Sequence, residues 1–304
     1  MTLTDTTLCA PGLAAGEALE ALYDALLEMD VLVQVPPDIA RELGDSLVRD
    51  RTVLMLWGGE TAPKGYAAYL CGQGRRAPGP ILRECPISAP QPPLPADRVR
   101  LAADDALFLG EYERAFDDAC HTLCCPAELN ANGVFATALS VQWVLRTGQG
   151  CTVSFAGCEG SAPMEQVMLA LHLNGIAQRT TALARLGKAW SHCFGRELPS
   201  HWPVVGSGIF EVSSGVHVDG LRKNPASYEP FPPEAVGGSR QVVLGRHAGR
   251  GAVTLRLQQL GIHTDDFDLG ALAAQVRQCA QQQGRVGDEL LLELAGPLRR
   301  VRPA

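Results

Sequence analysis

The first 60 residues alternate short apolar runs with segments of helical periodicity. The predicted order is strand, helix, strand, helix and strand, at residues 3–7, 16–30, 31–35, 36–48 and 52–57. In the first helix, four apolar residues share one face at the i, i+3, i+4 and i+7 spacing: Leu19, Leu22, Tyr23 and Leu26. This alternation predicts βαβ units and a parallel sheet.

The alternation is interrupted between residues 58 and 97, where eight prolines remove backbone donors and exclude helix interiors. Within this stretch only 66–70 and 81–85 are predicted to form regular structure. The alternation then resumes with strands at 98–103 and 151–156 and helices at 106–120, 133–147 and 162–173. We therefore predict a first α/β domain at 1–175 and a second, more helical domain at 176–304.

The composition is that of a globular protein, with 46% hydrophobic and 19% charged residues among 304. The net charge of −7 and the absence of a Lys/Arg-rich run argue against a nucleic-acid partner. No secretory signal and no apolar run long enough for a membrane span are found. The ten cysteines form no compact framework, which favours reduced thiols and a cytoplasmic location.

Several segments resemble one enzyme family. Asp5-Thr6-Thr7-Leu8 matches the start of the motif D-T-T-L-R-D-G-E-Q of the homocitrate synthase and isopropylmalate synthase family. The segments 203–210, 215–224 and 243–250 resemble the region that follows the catalytic barrel in the same family. Residues 136–138 and 164–167 resemble barrel helices of the nitrogen-fixation type of homocitrate synthase. The resemblance is strongest over 203–262.

The resemblance implies a (β/α)8-type barrel followed by a small α-rich C-terminal domain, and a dimer in which the C-terminal regions are entwined. The family reaction condenses acetyl-CoA with 2-oxoglutarate in homocitrate synthases. A divalent metal holds the 2-oxo acid, through an Asp after strand one, an H-x-H pair late in the barrel and an Asn beyond it. Such a metal acts as a Lewis acid on the keto group.

The family's metal ligands are replaced in this chain. Its Arg-Asp pair falls on Cys9 and Ala10, and its H-x-H pair, aligned through Gly133, falls on Ala127 and Leu129. Its Asn falls on Ser161, and the closest match to its A-D-T strand is 103–105, where Asp105 replaces the Thr. We therefore predict no metal site, and a metal with acetyl-CoA only if the chain is an active enzyme with a rearranged site.

The length before the C-terminal domain supports the same interpretation. About 250 residues are typical of a (β/α)8 barrel, with a minimum near 200, and about 175 precede the C-terminal domain here. The predicted fold is therefore α/β, with a (β/α)8-type barrel that is incomplete or distorted. Such a barrel either lacks units or closes with fewer helices.

The C-terminal segment keeps residues to which the resemblance gives roles. His217 and Tyr228 correspond to positions that assist deprotonation of acetyl-CoA, although the family's T-H-E is replaced by 211–213. Five basic side chains form either a patch for the phosphates of CoA or structural ion pairs with Asp219 and Glu229; they are Arg222, Lys223, Arg246, His247 and Arg250.

Three other features have simpler interpretations. The sequence around Cys120, His121, Cys124 and Cys125 lacks the further ligands of a zinc site. We therefore predict that these cysteines are buried thiols at a helix end. Cys9 could be an activated nucleophile, but a passive thiol in place of an arginine is favoured. The turn 157–160 could receive a phosphate, but lacks the spacing of known phosphate loops.

Three hypotheses of function follow. In the first, the chain is a homocitrate synthase-like protein with a degenerate site, a regulatory or assembly subunit that forms a homodimer or pairs with an active paralogue. In the second, it is an active synthase that uses Glu128, Asp104 or Asp105 as substitutes. In the third, it is a decayed gene product.

Overall fold

A computed structural model describes residues 2–56, 63–71, 76–86, 97–102, 128–213 and 215–299. The chain divides into two compact units, Met1–Val205 and Gly206–Ala304. The sequence-based boundary at 175 lies inside the first unit, because the helix Leu183–Phe194 beyond it packs against the helix Glu17–Glu28. The predicted helix at 106–120 and the cysteine cluster at 120–125 lie outside the described residues.

The first unit contains nine strand segments and five helices within the described residues. The strands are β1 (Thr4–Asp5), β2 (Leu32–Val35), β3 (Thr52–Leu56), β4 (Ala68–Cys71), β5 (Ile81–Leu82), β6 (Glu84–Pro86), β7 (Arg98–Ala102), β8 (Glu128–Asn132) and β9 (Thr152–Val153). The helices are α1 (Glu17–Glu28), α2 (Pro37–Leu43), α3 (Ala136–Thr147), α4 (Met164–Leu173) and α5 (Leu183–Phe194). The strands and helices predicted within the described residues are confirmed, and the stretches 66–70 and 81–85, predicted to form regular structure, contain strands. Strand β8 and helix α5 were not predicted.

All strand pairs in this unit are parallel. One sheet has the order β5-β4-β3-β2-β1-β9 and another the order β6-β7-β8. Only Arg83 separates β5 from β6, and Leu129 of β8 forms a parallel bridge with Cys151, which precedes β9. The neighbour relations therefore pass through eight strand positions and return to β1. The predicted (β/α)8-type barrel is confirmed, and it is distorted at Arg83.

The described helices cover only part of this barrel. Helices α1 and α2 follow β1 and β2, and helices α3 and α4 follow β8 and β9. The connections 57–67, 72–80 and 87–97 each have 11 residues or fewer, which is shorter than the dozen or more residues of a usual helical crossover between parallel strands. The shortening expected from chain length therefore falls on the connections, while the strand positions are retained.

The core of the first unit follows the periodicity seen in the sequence. The four residues of the α1 face are at most 1% exposed, and they pack between the sheet and α5. Trp143 of α3 and Phe155 after β9 are similarly buried. One glycine is required by close approach, since a Cβ at Gly150 would lie 2.1 Å from the backbone oxygen of Thr2. Gly150 thereby allows the segment before β9 to lie against the segment before β1.

The second unit is rich in helices, as predicted. Its helices are α6 (Gly215–Lys223), α7 (Arg250–Gln259), α8 (Leu269–Gln283) and α9 (Asp288–Ala295). Strands β10 (Glu211–Val212) and β11 (Gln241–Val242) are parallel, and β12 (Leu244–Gly245) and β13 (Arg285–Val286) are antiparallel. Its core includes fully buried residues of three helices, among them Val253, Leu272, Val276 and Leu291. Asp268 caps α8 by accepting hydrogen bonds from the amides of Gly270 and Ala271 at 3.0 Å.

Among the described residues, no helix combines the length and apolar composition that a membrane span requires.

Candidate functional site

The residues that replace the family's Arg-Asp pair lie directly after β1. Cys9 ends a short 3-10 turn, Thr7–Cys9, and Ala10 follows it with 8% of its surface exposed. The carboxyl ends of parallel barrel strands lie at one end of the barrel, where active sites of this fold are found. The position is therefore that of an active site, but the Ala10 methyl group offers no ligand atom.

Cys9 lies in an environment that keeps its thiol protonated. Its Sγ is 3.4 Å from the carbonyl oxygen of Gln34 and 3.5 Å from the sulfur of Met55. Burial raises the pKa of the Cys9 thiol from 9.0 to about 12. Because the thiolate is the reactive form, this environment argues against the nucleophile hypothesis.

The inward face of β8 is polar. Glu128 contacts Arg98 and Thr152, and Asn130 donates to Glu84 Oε2 at 2.9 Å. Asn132, two residues further on, donates from Nδ2 to Asn130 Oδ1 at 3.0 Å. Residues two apart on a strand share a face, so these three side chains point the same way and Leu129 points the other way.

This parity corrects the sequence-based position of the H-x-H pair. Two side chains of one strand that bind the same ion must share a face, and the face towards the other polar groups carries Glu128 and Asn130. The assignment to Ala127 and Leu129 is therefore wrong by one residue. Ala127 itself, like Asp104 and Asp105, lies outside the described residues.

A buried arginine occupies the centre of this polar cluster. The Arg98 side chain is fully buried. Its Nε and Nη2 each lie 2.9 Å from Glu128 Oε2, and its Nη1 donates to Gln34 Oε1 at 2.7 Å. Glu84 Oε2 is 3.8 Å from Nη1, and the other oxygen of Glu84 pairs with Arg100. One guanidinium on β7 thus contacts side chains of β2, β6 and β8.

The donor set does not fit the family's divalent metal. The carboxylate of Glu128 is bound by Arg98 and also accepts from Thr152 Oγ1 at 3.3 Å. A cation placed there would face a guanidinium, and like charges repel strongly where water is excluded. Within the described ranges, no three His, Cys, Asp or Glu side chains gather as a metal-binding group.

Ser161, which replaces the family's Asn, lies beside β8. It is 9% exposed, and its backbone forms an antiparallel bridge with Asn132. The preceding turn 156–160 has positive φ at two non-glycine residues, Ala156 at 58° and Glu159 at 54°. Glu165 of α4 braces this turn by accepting from the Ala156 amide at 3.1 Å and from the Trp202 indole at 2.8 Å.

Asp5 is retained from the family motif and has a structural environment. Its fully buried carboxylate accepts hydrogen bonds from the Thr7 amide at 2.9 Å and the Thr7 hydroxyl at 2.8 Å. The Thr7 oxygen in turn accepts from the Phe155 amide at 2.8 Å. Burial raises the pKa of Asp5 from 3.8 to about 7, against the effect of these hydrogen bonds. The group links the end of β1 to the end of β9.

The two C-terminal candidates are neighbours in the second unit. The rings of His217 and Tyr228 have centroids 5.3 Å apart, and Tyr228 is 46% exposed. Gly220 of α6 makes this arrangement possible, because a Cβ there would lie 2.3 Å from the Tyr228 ring. Their role in catalysis stays a prediction.

The basic candidates are spread over several elements. Arg246 donates from Nε to His247 Nε2 at 3.1 Å. Arg250 begins α7 and packs against Gly270 at the start of α8. Lys223 ends α6, and the side chain of Arg222 lies outside the described residues. Glu229, the expected partner for these charges, is instead held by Arg240 through two hydrogen bonds of 2.7 Å.

Sequence reasoning missed the Arg98 cluster, although a signal was present. Strands buried on both faces in a parallel sheet are normally apolar throughout. In β7 and β8, polar residues recur at every second position: Arg98, Arg100, Glu128, Asn130 and Asn132. Such alternation in a parallel barrel indicates a polar interior.

We expect Arg98→Met to lower the free energy of unfolding by about 3–5 kcal/mol, because removal of one partner leaves a buried carboxylate without its counter-charge. Denaturant titration measures the change. Adding Glu128→Gln to Arg98→Met should recover part of the loss. Arg185→Met, which breaks an exposed pair with Glu28, serves as control and should cost about 1 kcal/mol or less. An equal loss of unfolding free energy in Arg98→Met and Arg185→Met would contradict the placement of Arg98 in a buried ion pair.

We expect Asp5→Asn to change how stability depends on pH. Because the folded pKa is raised, the Asp5 contribution is fully present below pH 3.8 and is lost as pH rises to about 7. The stability of Asp5→Asn relative to the natural chain should therefore increase between pH 4 and 7, with a slope of up to about 1.4 kcal/mol per pH unit. Denaturant titrations of both proteins at several pH values test this, and a constant difference would refute it.

Comparisons with known proteins agree with the residue-level resemblance. Residues 204–284 match the family model described as homocitrate synthase post-HMGL domain-like. A homocitrate synthase of Frankia alni is 38% identical over 134 residues, which are 43% of this chain and 37% of that protein. A Methanosphaerula palustris protein provisionally named (R)-citramalate synthase is 37% identical over 158 residues, 50% of this chain and 32% of that protein.

A third relative is named as a subunit. The homocitrate synthase omega subunit of Clostridium pasteurianum is 29% identical over 163 residues, which are 52% of this chain and 46% of that protein. The matches thus span about a third to a half of the length of these relatives. Over these partial matches the chain is similar to homocitrate and citramalate synthases, which agrees with the motifs it shares with the homocitrate synthase and isopropylmalate synthase family.

Proposed function

We propose that the chain is a homocitrate synthase-like protein whose barrel does not catalyse the family's condensation, and that it acts as a regulatory or assembly subunit. The observation that carries this proposal is the Arg98 cluster. It places a paired, buried guanidinium against the strand face where the family holds its metal. After β1, Ala10 stands in place of a further family ligand and Cys9 in place of the family's arginine.

The active alternative is less well supported. Of the three residues suggested as substitute ligands, Glu128 is the one that lies within the described residues. Its carboxylate is held by Arg98 and Thr152. To bind a metal it would have to release Arg98, which would leave the guanidinium buried without a counter-charge. The decayed-gene alternative predicts a marginal fold, and a single cooperative unfolding transition in the first unit would count against it.

A subunit role is supported by the name of one relative and by the retained C-terminal segment. The Clostridium pasteurianum relative is named the omega subunit of a homocitrate synthase. In this chain, the His217 and Tyr228 pair and the residues around it are better retained than the barrel motifs. We propose that this segment takes part in pairing, either in a homodimer or with an active paralogue.

The first test measures metal and substrate binding by the purified chain. Isothermal titration with Mn²⁺, and with 2-oxoglutarate in the presence of Mn²⁺, should give no binding heat. Coenzyme A release from acetyl-CoA with 2-oxoglutarate should stay at background, with the Frankia alni homocitrate synthase as positive control. Stoichiometric metal binding or turnover above background would reject the proposal.

The second test measures pairing. The tagged chain, co-expressed with a full-length homocitrate synthase of the same organism, should co-purify with it at a fixed ratio. Gly220→Ala should weaken the complex, because the added Cβ displaces Tyr228. Gly251→Ala, which adds a Cβ into open space on α7, is the matched control and should leave it unchanged. Equal behaviour of the two variants, or a partnerless monomer, would contradict the proposed pairing.

A further inference from the structure

A groove of about 540 Å³ lies on the outer side of the barrel, between α2, β3 and the segment that begins at Pro63. Its volume falls in the range of small-molecule sites. It is separate from the polar cluster inside the barrel, because its strand residues belong to the opposite face of β3.

The floor of the groove is apolar. Leu54 and Leu56 line it, each 3% exposed. Met55 between them points the other way, where its sulfur contacts Cys9. In a regular (β/α)8 barrel the outer strand face is covered by the ring of helices. Here α2 and Tyr66 form the described walls.

The rim of the groove carries two arginines. Arg41 donates from Nε to the Pro37 carbonyl at 3.2 Å, and the Arg49 guanidinium lies 5.8 Å from the centre of the Tyr66 ring. Within the described ranges, neither guanidinium has a carboxylate within ion-pair distance. Arg51, two residues beyond Arg49, pairs with Asp30 at 3.3 Å. Asp45 also lines the groove, so the described part of its lining carries one excess positive charge.

An apolar floor beneath guanidinium groups that have no described carboxylate partner favours a ligand with one apolar part and one negatively charged group. A guanidinium presents a planar set of donors that matches a carboxylate, and such charge-assisted bonds are strong. The floor of two leucines favours an aliphatic chain over a polar one. A polyphosphate or nucleotide carries several negative charges, and the described lining offers it two arginines beside Asp45 and an apolar floor.

We propose that this groove binds a small monocarboxylate with a short aliphatic chain, with its carboxylate at Arg41 and Arg49 and its chain on Leu54 and Leu56. This site is independent of the proposed subunit role and of the family's substrate position.

In the test, the full chain is titrated with hexanoate, and binding is measured by calorimetry and by saturation-transfer NMR. Hexanol and hexylamine, which have the same chain but no carboxylate, are titrated in the same way for comparison. Hexanoate should bind more tightly than either. Arg41→Gln and Arg49→Gln should each weaken hexanoate binding by at least about 10-fold, as expected for loss of a charge-assisted hydrogen bond. Ala40→Trp, which fills the groove from α2, should abolish binding.

Lys188→Gln on α5 is the control, because it removes a positive charge from an exposed site outside the groove. It should leave hexanoate affinity unchanged, and circular dichroism melting should show that all variants fold. Equal binding of hexanol, or unchanged affinity in both arginine variants, would overturn the proposal. Self-association that hexanoate reverses would instead assign the groove to a second copy of the chain, and would also overturn it.

Discussion

The contacts of one buried guanidinium connect four of the eight strand positions of this barrel. Arg98 on β7 binds Glu128 on β8 and Gln34 on β2, and lies 3.8 Å from Glu84 on β6. These strands are joined to their neighbours by backbone hydrogen bonds, but only some carry a described helix on the outside. A charge that is buried must be paired and hydrogen-bonded, so the cluster specifies which strands face each other across the interior. Positions that could hold a catalytic ion are used instead to position strands.

Under the proposed function, the same exchange accounts for a loss of substrate chemistry in a barrel that keeps its fold. A divalent ion held by oxygen and nitrogen ligands polarises a keto acid because some coordination positions stay open to it. The guanidinium of Arg98 is fully buried and is bound by Glu128 and Gln34 of the protein itself. Cys9, next to Gln34 and Met55, supplies no positive charge, and burial raises the pKa of its thiol, which disfavours the thiolate. The end of the barrel keeps its shape through Asp5, Thr7 and Glu165, whose buried hydrogen bonds link the ends of β1, β9 and α4.

Much of the fold could be predicted from local patterns. The α1 face and the buried runs of β2 and β3 are visible in the sequence and appear where predicted, because each buries its apolar side chains against a neighbour. Local patterns could not show which residues of β8 point into the barrel. A gap in a motif shifts the assignment by one residue, and each such shift turns a strand residue to the opposite face. Only the contact of Glu128 with Arg98 decides which residues point inward.

The sequence by itself determined the class of fold, the resemblance to a family and the residues that stand at that family's motif positions, because apolar periodicity and motif residues are local properties of the chain. It also determined that the C-terminal segment is the better retained part. The tertiary structure alone decided that eight strand positions still pair in a circuit, and that Arg98, Glu128, Glu84 and Gln34 meet inside it. These residues are far apart in the chain, and nothing local to any of them specifies its partner. Their proximity follows from barrel closure, which is a long-range property of strand pairing.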